Sequence, residues 1–444
     1  MSRIVRTSKY RHVFGKEFKP ELTISNVESS QTTWDTNYMA CNNTFWAVLW
    51  QTGGGGSVAV VPMSTKGKLP QADMPLINGH KNAVLDLDFN PFNDYILATA
   101  SEDTLVKIWS IPSEGLKQHM TEPVQTLKGH TRKVGQVKFN PTAANVLAST
   151  STDYSVKIWD VATGQAKLSV SGPTDIIQSL AWSSDGQRLA ITSKDKLVRV
   201  ADPRTGKFEV EKNSHDGVKG SRVVWVDDKV FTVGFAKGSD REYKLFDAGL
   251  NQIVQKTIDN SSGQFMPFYD EDTKMIYLVG KGDTTIRYYE YTGADEYIYA
   301  LDEFKSTKSN KGGCFMYKTG LNIGECEVAR FLKLEASTNK VVPIALTVPR
   351  KSDHFQDDIF PDTASGAGEA ALTTADYFAG KNAAPKKVSL QTAFVAKPKQ
   401  EEVFVKQEVD DGPQTVPELK TALEDAKKRI AFLEAELVKA RAGK

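Results

Sequence analysis

Residues 79–110 read GHKNAVLDLDFNPFNDYILATASEDTLVKIWS, and residues 129–160 read GHTRKVGQVKFNPTAANVLASTSTDYSVKIWD. Each opens on Gly-His and reaches a Trp thirty residues beyond that Gly. From Val84 and from Val134, apolar and polar residues alternate with the period of a half-buried strand. A second run, Tyr95 to Ser101 or Asn145 to Ser151, turns at Asp103 or Asp153 into a third strand that ends beside Trp109 or Trp159. The same Asp turn returns at Asp195, Asp240 and Asp283, six residues before Ala201, Phe246 and Tyr289. A turn-and-strand unit repeated at near-constant spacing predicts stacked copies, and for β-units that means a propeller.

These two units resemble WD40 repeats. The resemblance implies that His80, Thr99, Asp103 and Trp109 in one unit, and His130, Ser149, Asp153 and Trp159 in the next, form hydrogen-bonded networks around a buried indole. A half-satisfied buried network costs more than an apolar one, so these residues are read as scaffold. The same side chains in isolation would suggest a metal or acid–base site. Each set recurs in equivalent blades far apart on a ring, however, which argues against catalysis. No enzyme activity, catalytic residue, metal site or cofactor is expected.

Later copies keep the rhythm while losing the motif. From Ser110 the closing position advances to Asp160, Asp202, Asp247 and Glu290, in steps of 50, 42, 45 and 43 residues. A first blade is expected across Trp34, Phe45–Trp50 and Ser57–Pro62, and a last one across residues 313–347. The run Ile4 to Phe14 has strand character and is expected to pair with the last blade and close the ring, which removes open sheet edges. Seven blades result, and the fold class is all-β. The glycines at 53–56 lack the Gly-Lys-Ser/Thr end of a phosphate loop and read as a hairpin turn.

Lys plus Arg number 56 against 55 Asp plus Glu, a balance that argues against a chain coated for nucleic acid or membrane. The three cysteines, Cys41, Cys314 and Cys326, form no Cys-x-x-Cys pair and fit reduced thiols. No signal peptide and no long apolar span is evident, so a soluble intracellular protein is expected, with no integral membrane contact.

Four segments follow: the propeller over 1–348, an extension packed on it over 349–393, a flexible linker over 394–415, and a coiled coil over 416–444. In the last, Val416, Leu419, Leu423, Ala426, Ile430, Leu433, Leu437 and Ala440 recur at alternating spacings of 3 and 4, an a/d seam. A single helix of this length is marginal in water and is expected to associate. Arg429 and Glu434 stand at g and e of the motif Arg-apolar-x-x-apolar-Glu, which favours a parallel homotrimer over a dimer.

Over its whole length the chain resembles the coronin family. The resemblance rests on Val5-Arg-Thr-Ser-Lys-Tyr-Arg-His-Val-Phe-Gly15, Lys281-Gly-Asp-Thr-Thr-Ile-Arg-Tyr-Tyr289, Val348-Pro-Arg-Lys-Ser-Asp353, Phe355-Gln-Asp-Asp-Ile-Phe-Pro-Asp-Thr363 and the terminal heptads. It implies an F-actin-binding regulator of branched networks and filament turnover in the cytoplasm, cytoskeleton and cell cortex. Partnership with the actin-related nucleating complex and with cofilin is implied in the same way. A general WD40 adaptor in trafficking or signalling is the alternative. Candidate filament contacts are the basic opening, Arg3, Arg6, Lys9, Arg11, Lys16 and Lys19, and a second cluster, Lys194, Lys196, Arg199 and Arg204. Many coronins carry an arginine shortly before the first-blade tryptophan, whereas residues 26–33 here contain none.

Overall fold

A computed structural model describes residues 7–32, 34–70, 72–351, 354–395 and 416–442, without the side chains of 418, 422 and 436–442. The chain divides into two compact units, Met1–Lys397 and Pro398–Lys444. The first is a seven-bladed β-propeller.

Five blades are four-stranded antiparallel sheets. Blade 2 is built from Val84–Phe89, Ile96–Ser101, Val106–Ser110 and Gln125–Leu127. Blade 3 is built from Val134–Phe139, Val146–Ser151, Ser155–Asp160 and Gln165–Ser171. Blades 4, 5 and 6 repeat the meander from Ile177–Trp182, Arg222–Val226 and Phe265–Asp270 onward. Blade 1 has three strands, Met39–Cys41, Phe45–Trp50 and Ser57–Pro62, with Ile77 bridged to its outer edge at Val58. Blade 7 holds Asn310–Phe315, Glu327–Glu335 and Lys340–Thr347. The middle strands are apolar on both faces because each is covered by the neighbouring blade, so Phe45–Trp50 and Met275–Gly280 are buried at every residue.

The blade networks form as the repeat implies. The Trp109 indole donates to Thr99 Oγ1 at 2.8 Å, His80 Nε2 lies 2.7 Å from the same oxygen, and His80 Nδ1 faces Asp103 Oδ2 at 2.9 Å. The proton on Nδ1 therefore points at the carboxylate, and Nε2 accepts from the hydroxyl. In blade 3 the matching distances through Trp159, Ser149, His130 and Asp153 are 2.8, 2.8 and 3.0 Å.

Blade 5 contains a third network that the motif search missed. His215 lies 2.9 Å from Thr232 Oγ1 and 2.8 Å from Glu242 Oε1. The acid comes from within the third strand, two residues after Asp240, so the Asp240 turn does not supply it. Blade 4 replaces histidine with arginine, Arg199 gripping Asp195, and the turn carboxylate of blade 6, Asp283, is held from the neighbouring blade by Arg241 on blade 5's third strand, which also binds Asp259.

Ring closure differs from expectation in its register. The strand that pairs with blade 7 is Phe14–Glu17, opposite Ile344–Thr347. Within 4–14, the described residues before Phe14 are not in that pairing because they are engaged elsewhere. Tyr10 is buried with its hydroxyl on the Ile359 carbonyl, Lys9 donates to the Asp358 carbonyl, and Val13 accepts from Tyr288. Ile24–Ser25 then pairs with Val341 and Lys340 on one side and with Gly67–Lys68 on the other.

Beyond blade 7 the chain stays on the propeller. Ile359, Phe360, Tyr377 and Leu390 are buried, and Thr363–Ala364 pairs with Lys387–Val388. Phe394, expected to start the linker, packs edge-on against Phe355 at 5.9 Å. From 396 to 415 the linker lies outside the described residues. The second unit contains one helix, Val416–Ala442, on which Leu419, Leu423, Ile430 and Leu433 are all more than half exposed.

Replacing Thr99 by Val keeps the shape and removes the oxygen shared by His80 and Trp109. The expected result is a loss of about 1–3 kcal/mol of unfolding free energy by denaturant titration, because two buried polar groups lose their partner. An unchanged midpoint would mean the network contributes nothing.

Candidate functional site

His80 of the loop entering blade 2 meets Asp103 of the turn between that blade's second and third strands, so both elements lie at one end of the ring. This histidine end carries exposed cations from four successive blades: Lys81, Arg132, Lys194, Lys196, Lys219 and Lys237. Several carboxylates of the same end turn inward. Burial works against ionisation of Asp153, yet hydrogen bonds from His130, Ser155 and the Thr131 N–H hold it well below the usual carboxylate range. Asp195 is held down likewise by Arg199, Ser193 and backbone N–H groups. Cations that remain outside can meet an acidic partner.

The segment 29–38 crosses the mouth of the ring at this end. Trp34 donates to Gly135 O in blade 3 at 2.9 Å, and Thr36 to Leu85 O in blade 2 at 2.8 Å. Asp35 accepts from Arg222 of blade 5 at 3.0 Å and from Lys281 of blade 6 at 2.7 Å. The Asn37 carbonyl accepts from the Gly313 N–H of blade 7 at 2.9 Å. One strap thus touches five blades. A Cβ on Gly135 would come within 2.5 Å of the Trp34 ring, so this close approach requires glycine. Burial brings Lys281 down to about 8, against the pull of Asp35.

Below the strap a cavity of about 580 Å³ follows the ring axis, and Thr363, Pro385 and Lys387 of the extension line its opposite end. Asp86 stands in its wall, accepting from the Val137 N–H, and burial raises it to about 6. Lys138 beside it pairs with Asp88 at 2.7 Å.

The two clusters expected from the sequence do not form one surface. Lys16 stands on the ring-closing strand opposite Ala345 of blade 7, across the ring from Lys194 and Lys196 of blade 4. Arg11, Lys16 and Lys19 are exposed, Lys9 holds the Asp358 carbonyl, and Arg3 and Arg6 lie outside the described residues. Arg199 is only 2 % exposed, bound to Asp195 and Glu211, so it serves the blade interior and cannot reach a partner. Arg204 sits at the other end of blade 4, where it stacks 4.5 Å over Tyr377 and donates to the Lys381 carbonyl at 2.8 Å, anchoring the extension. A single run of basic letters around 194–204 therefore splits three ways: two surface lysines, one buried pair, one clamp.

Comparison with known proteins identifies the family. Coronin-A of Dictyostelium discoideum is 50 % identical over 441 residues, covering 99 % of this chain and 98 % of its own. The chain belongs to the coronin family. The WD40 domain of a Toxoplasma gondii coronin superposes with a TM-score of 0.81 at 32 % identity, over 87 % of this chain and 98 % of that one. A mitotic checkpoint complex chain, 15 % identical with a TM-score of 0.56 over 79 % of this chain and 98 % of its own, shares the fold alone. WD domain, G-beta repeats match residues 74–110, 121–160 and 164–202, and a further type of WD40 repeat matches 341–385. A domain of unknown function, DUF1899, matches 3–68, the stretch holding the closing strand, the strap and blade 1.

In this coronin residues 26–32, which hold no arginine, lead into the strap, with Glu28 exposed there. Lys81, Arg132, Lys219 and Lys237 were missed as surface candidates because they are scattered in sequence. The blade period was the available signal, since each falls in an entering loop or a second turn of its repeat.

The raised Asp86 predicts a pH dependence. Folding resists ionisation of this carboxyl, so its cost is absent below the ordinary carboxylate value and is fully incurred once pH exceeds about 6. Asp86→Asn should match the parent near about pH 4 and gain on it through about pH 6, by at most about 3 kcal/mol above that. Denaturant titrations across that range measure it, and a variant advantage independent of pH would count against the assignment.

Proposed function

We propose that this coronin is an actin-associated cytoskeletal scaffold, without enzymatic activity, that binds filaments weakly through its propeller and multiplies the contact by oligomerising through the helix Val416–Ala442. The observation that carries the reading is the 50 % identity over an alignment of 441 residues that spans both propeller and helix. The exposed lysines of the histidine end, with Lys194 and Lys196 among them, supply a cationic surface for an acidic filament. Arg11, Lys16 and Lys19 supply a second on blade 7.

Oligomerisation follows from the helix. A helix of 27 residues that exposes Leu419, Leu423, Ile430 and Leu433 along one seam has no partner among the described residues of its own unit, and association buries that seam. Ala426, Arg429 and Glu434 are exposed on it as well; Leu437 continues the seam in sequence, its side chain lying outside the description. Parallel packing brings Arg429 at g to Glu434 at e of a neighbour, which favours a homotrimer. Tethering converts the second propeller contact into an effectively intramolecular step, so filaments can be decorated or crosslinked by modules that bind weakly alone. Action on branched networks with the nucleating complex and cofilin, at the cell cortex, follows from the family.

Co-sedimentation tests the core of this reading. The full chain should pellet with F-actin at low salt, less so as salt rises. A folded oligomer that stays in the supernatant at low salt would overturn it. Recovery of vesicle or kinase components without actin would favour the adaptor alternative. Lys194→Glu with Lys196→Glu should weaken pelleting while leaving the melting temperature unchanged; undiminished pelleting would remove blade 4 from the interface. Ile430→Ala with Leu433→Ala should reduce the mass by light scattering from about three times the 49.0 kDa chain to one, and should weaken pelleting together with it. An unchanged mass would sink the coil assignment.

A further inference from the structure

At the seam where blade 7 meets blade 1, a second cavity of about 410 Å³ lies beneath the strand connection Phe18–Ile24. Its walls are apolar, with Phe18, Ile24, Trp46, Met63, Leu332 and Pro343 among them. That size falls within the range of small-molecule sites. Two polar atoms of the lining residues have no partner among the described residues: the indole Nε1 of Trp46, a residue 1 % exposed, and Oδ1 of Asn43. Five of the other six indoles are bonded differently. Trp34, Trp109, Trp159, Trp182 and Trp225 each donate to a protein oxygen. A buried donor and a buried acceptor left without partners call for a group that satisfies both. At the rim stand the exposed Ser64 and Lys66 of the turn after blade 1's third strand, which gives the cavity a polar entrance.

We propose that this seam cavity is a binding site for a small apolar molecule carrying a hydroxyl group, which accepts a hydrogen bond from the Trp46 indole and donates one to Asn43. The apolar body fills the wall and the hydroxyl replaces the missing partners. Because the site is built from blade 7, blade 1 and the N-terminal connection, it exists only in the closed ring. A ligand held there favours the folded state by mass action.

The test is thermal unfolding of the full chain with 2-naphthol and with naphthalene, which lacks the hydroxyl. The expected result is a melting temperature that rises with 2-naphthol concentration, with naphthalene bound about tenfold more weakly. Trp46→Phe removes the donor and part of the buried ring, so it should melt below the parent by the packing it loses and should bind the two probes alike. Leu332→Trp fills the cavity and should abolish both shifts. If that variant does not fold, Met63→Trp at the less buried edge serves the same purpose. No shift with either probe, as for a cavity that holds only water, overturns the proposal. Equal shifts with both probes in the parent overturn the role of the hydroxyl, and shifts that survive a filled cavity place binding elsewhere. None of these readouts involves actin, so the outcome is independent of filament binding.

Discussion

A ring of blades has no natural end, and this one is joined chiefly by an antiparallel pairing of Phe14–Glu17 against Ile344–Thr347, continued by Ile24–Ser25 against Val341 and Lys340. Without the first of these, blade 7 would present Ile344–Thr347 as an open edge with unpaired N–H and C=O groups. The same N-terminal segment continues into Ile24–Ser25 and then into the strap 29–38. One contiguous stretch therefore closes the ring at its rim and ties five blades across its mouth. The match of one domain family to residues 3–68 covers these parts together with the strands of blade 1.

Blades are interchangeable in outline and individual in what pins them. Two use histidine, hydroxyl and indole; blade 5 uses histidine, threonine and glutamate; blade 4 uses an arginine with carboxylates, and blade 6 has its turn carboxylate held by Arg241 of blade 5. Each solution orders the turn between the second and third strands by giving a buried polar group a partner from the entering loop or the neighbouring strand. Carboxylates spent inside in this way leave lysines outside. The cationic character of the histidine end is a by-product of how the blades are fastened, in a chain whose total charge is nearly balanced.

The two closest repeats were legible because their polar networks need fixed spacings, and the blade count followed from the turns. Blade 5 was harder. Its acid moved from the turn into the strand, so a search at constant offset passed over His215 and Glu242. The closing strand was displaced to Phe14–Glu17 because Tyr10 and Val13 are drawn into contacts with residues hundreds of positions away, which no local pattern encodes. Arg199 and Arg204 look alike in sequence, yet strand register sends one into the blade and the other onto Tyr377. The terminal helix was readable because a helical period is local. The strap's contacts were not, since every one of its partners belongs to a different repeat.

The ring-closing pair also bears on the order of events at the ribosome. Phe14–Glu17 is made early, but the strand it must join is completed more than three hundred residues later. Throughout that interval the nascent chain carries an unmatched β-segment at its front and a growing stack of blades behind it. The final register can form only after blade 7 has left the exit tunnel, so closure of the ring is a late step however early the inner blades assemble.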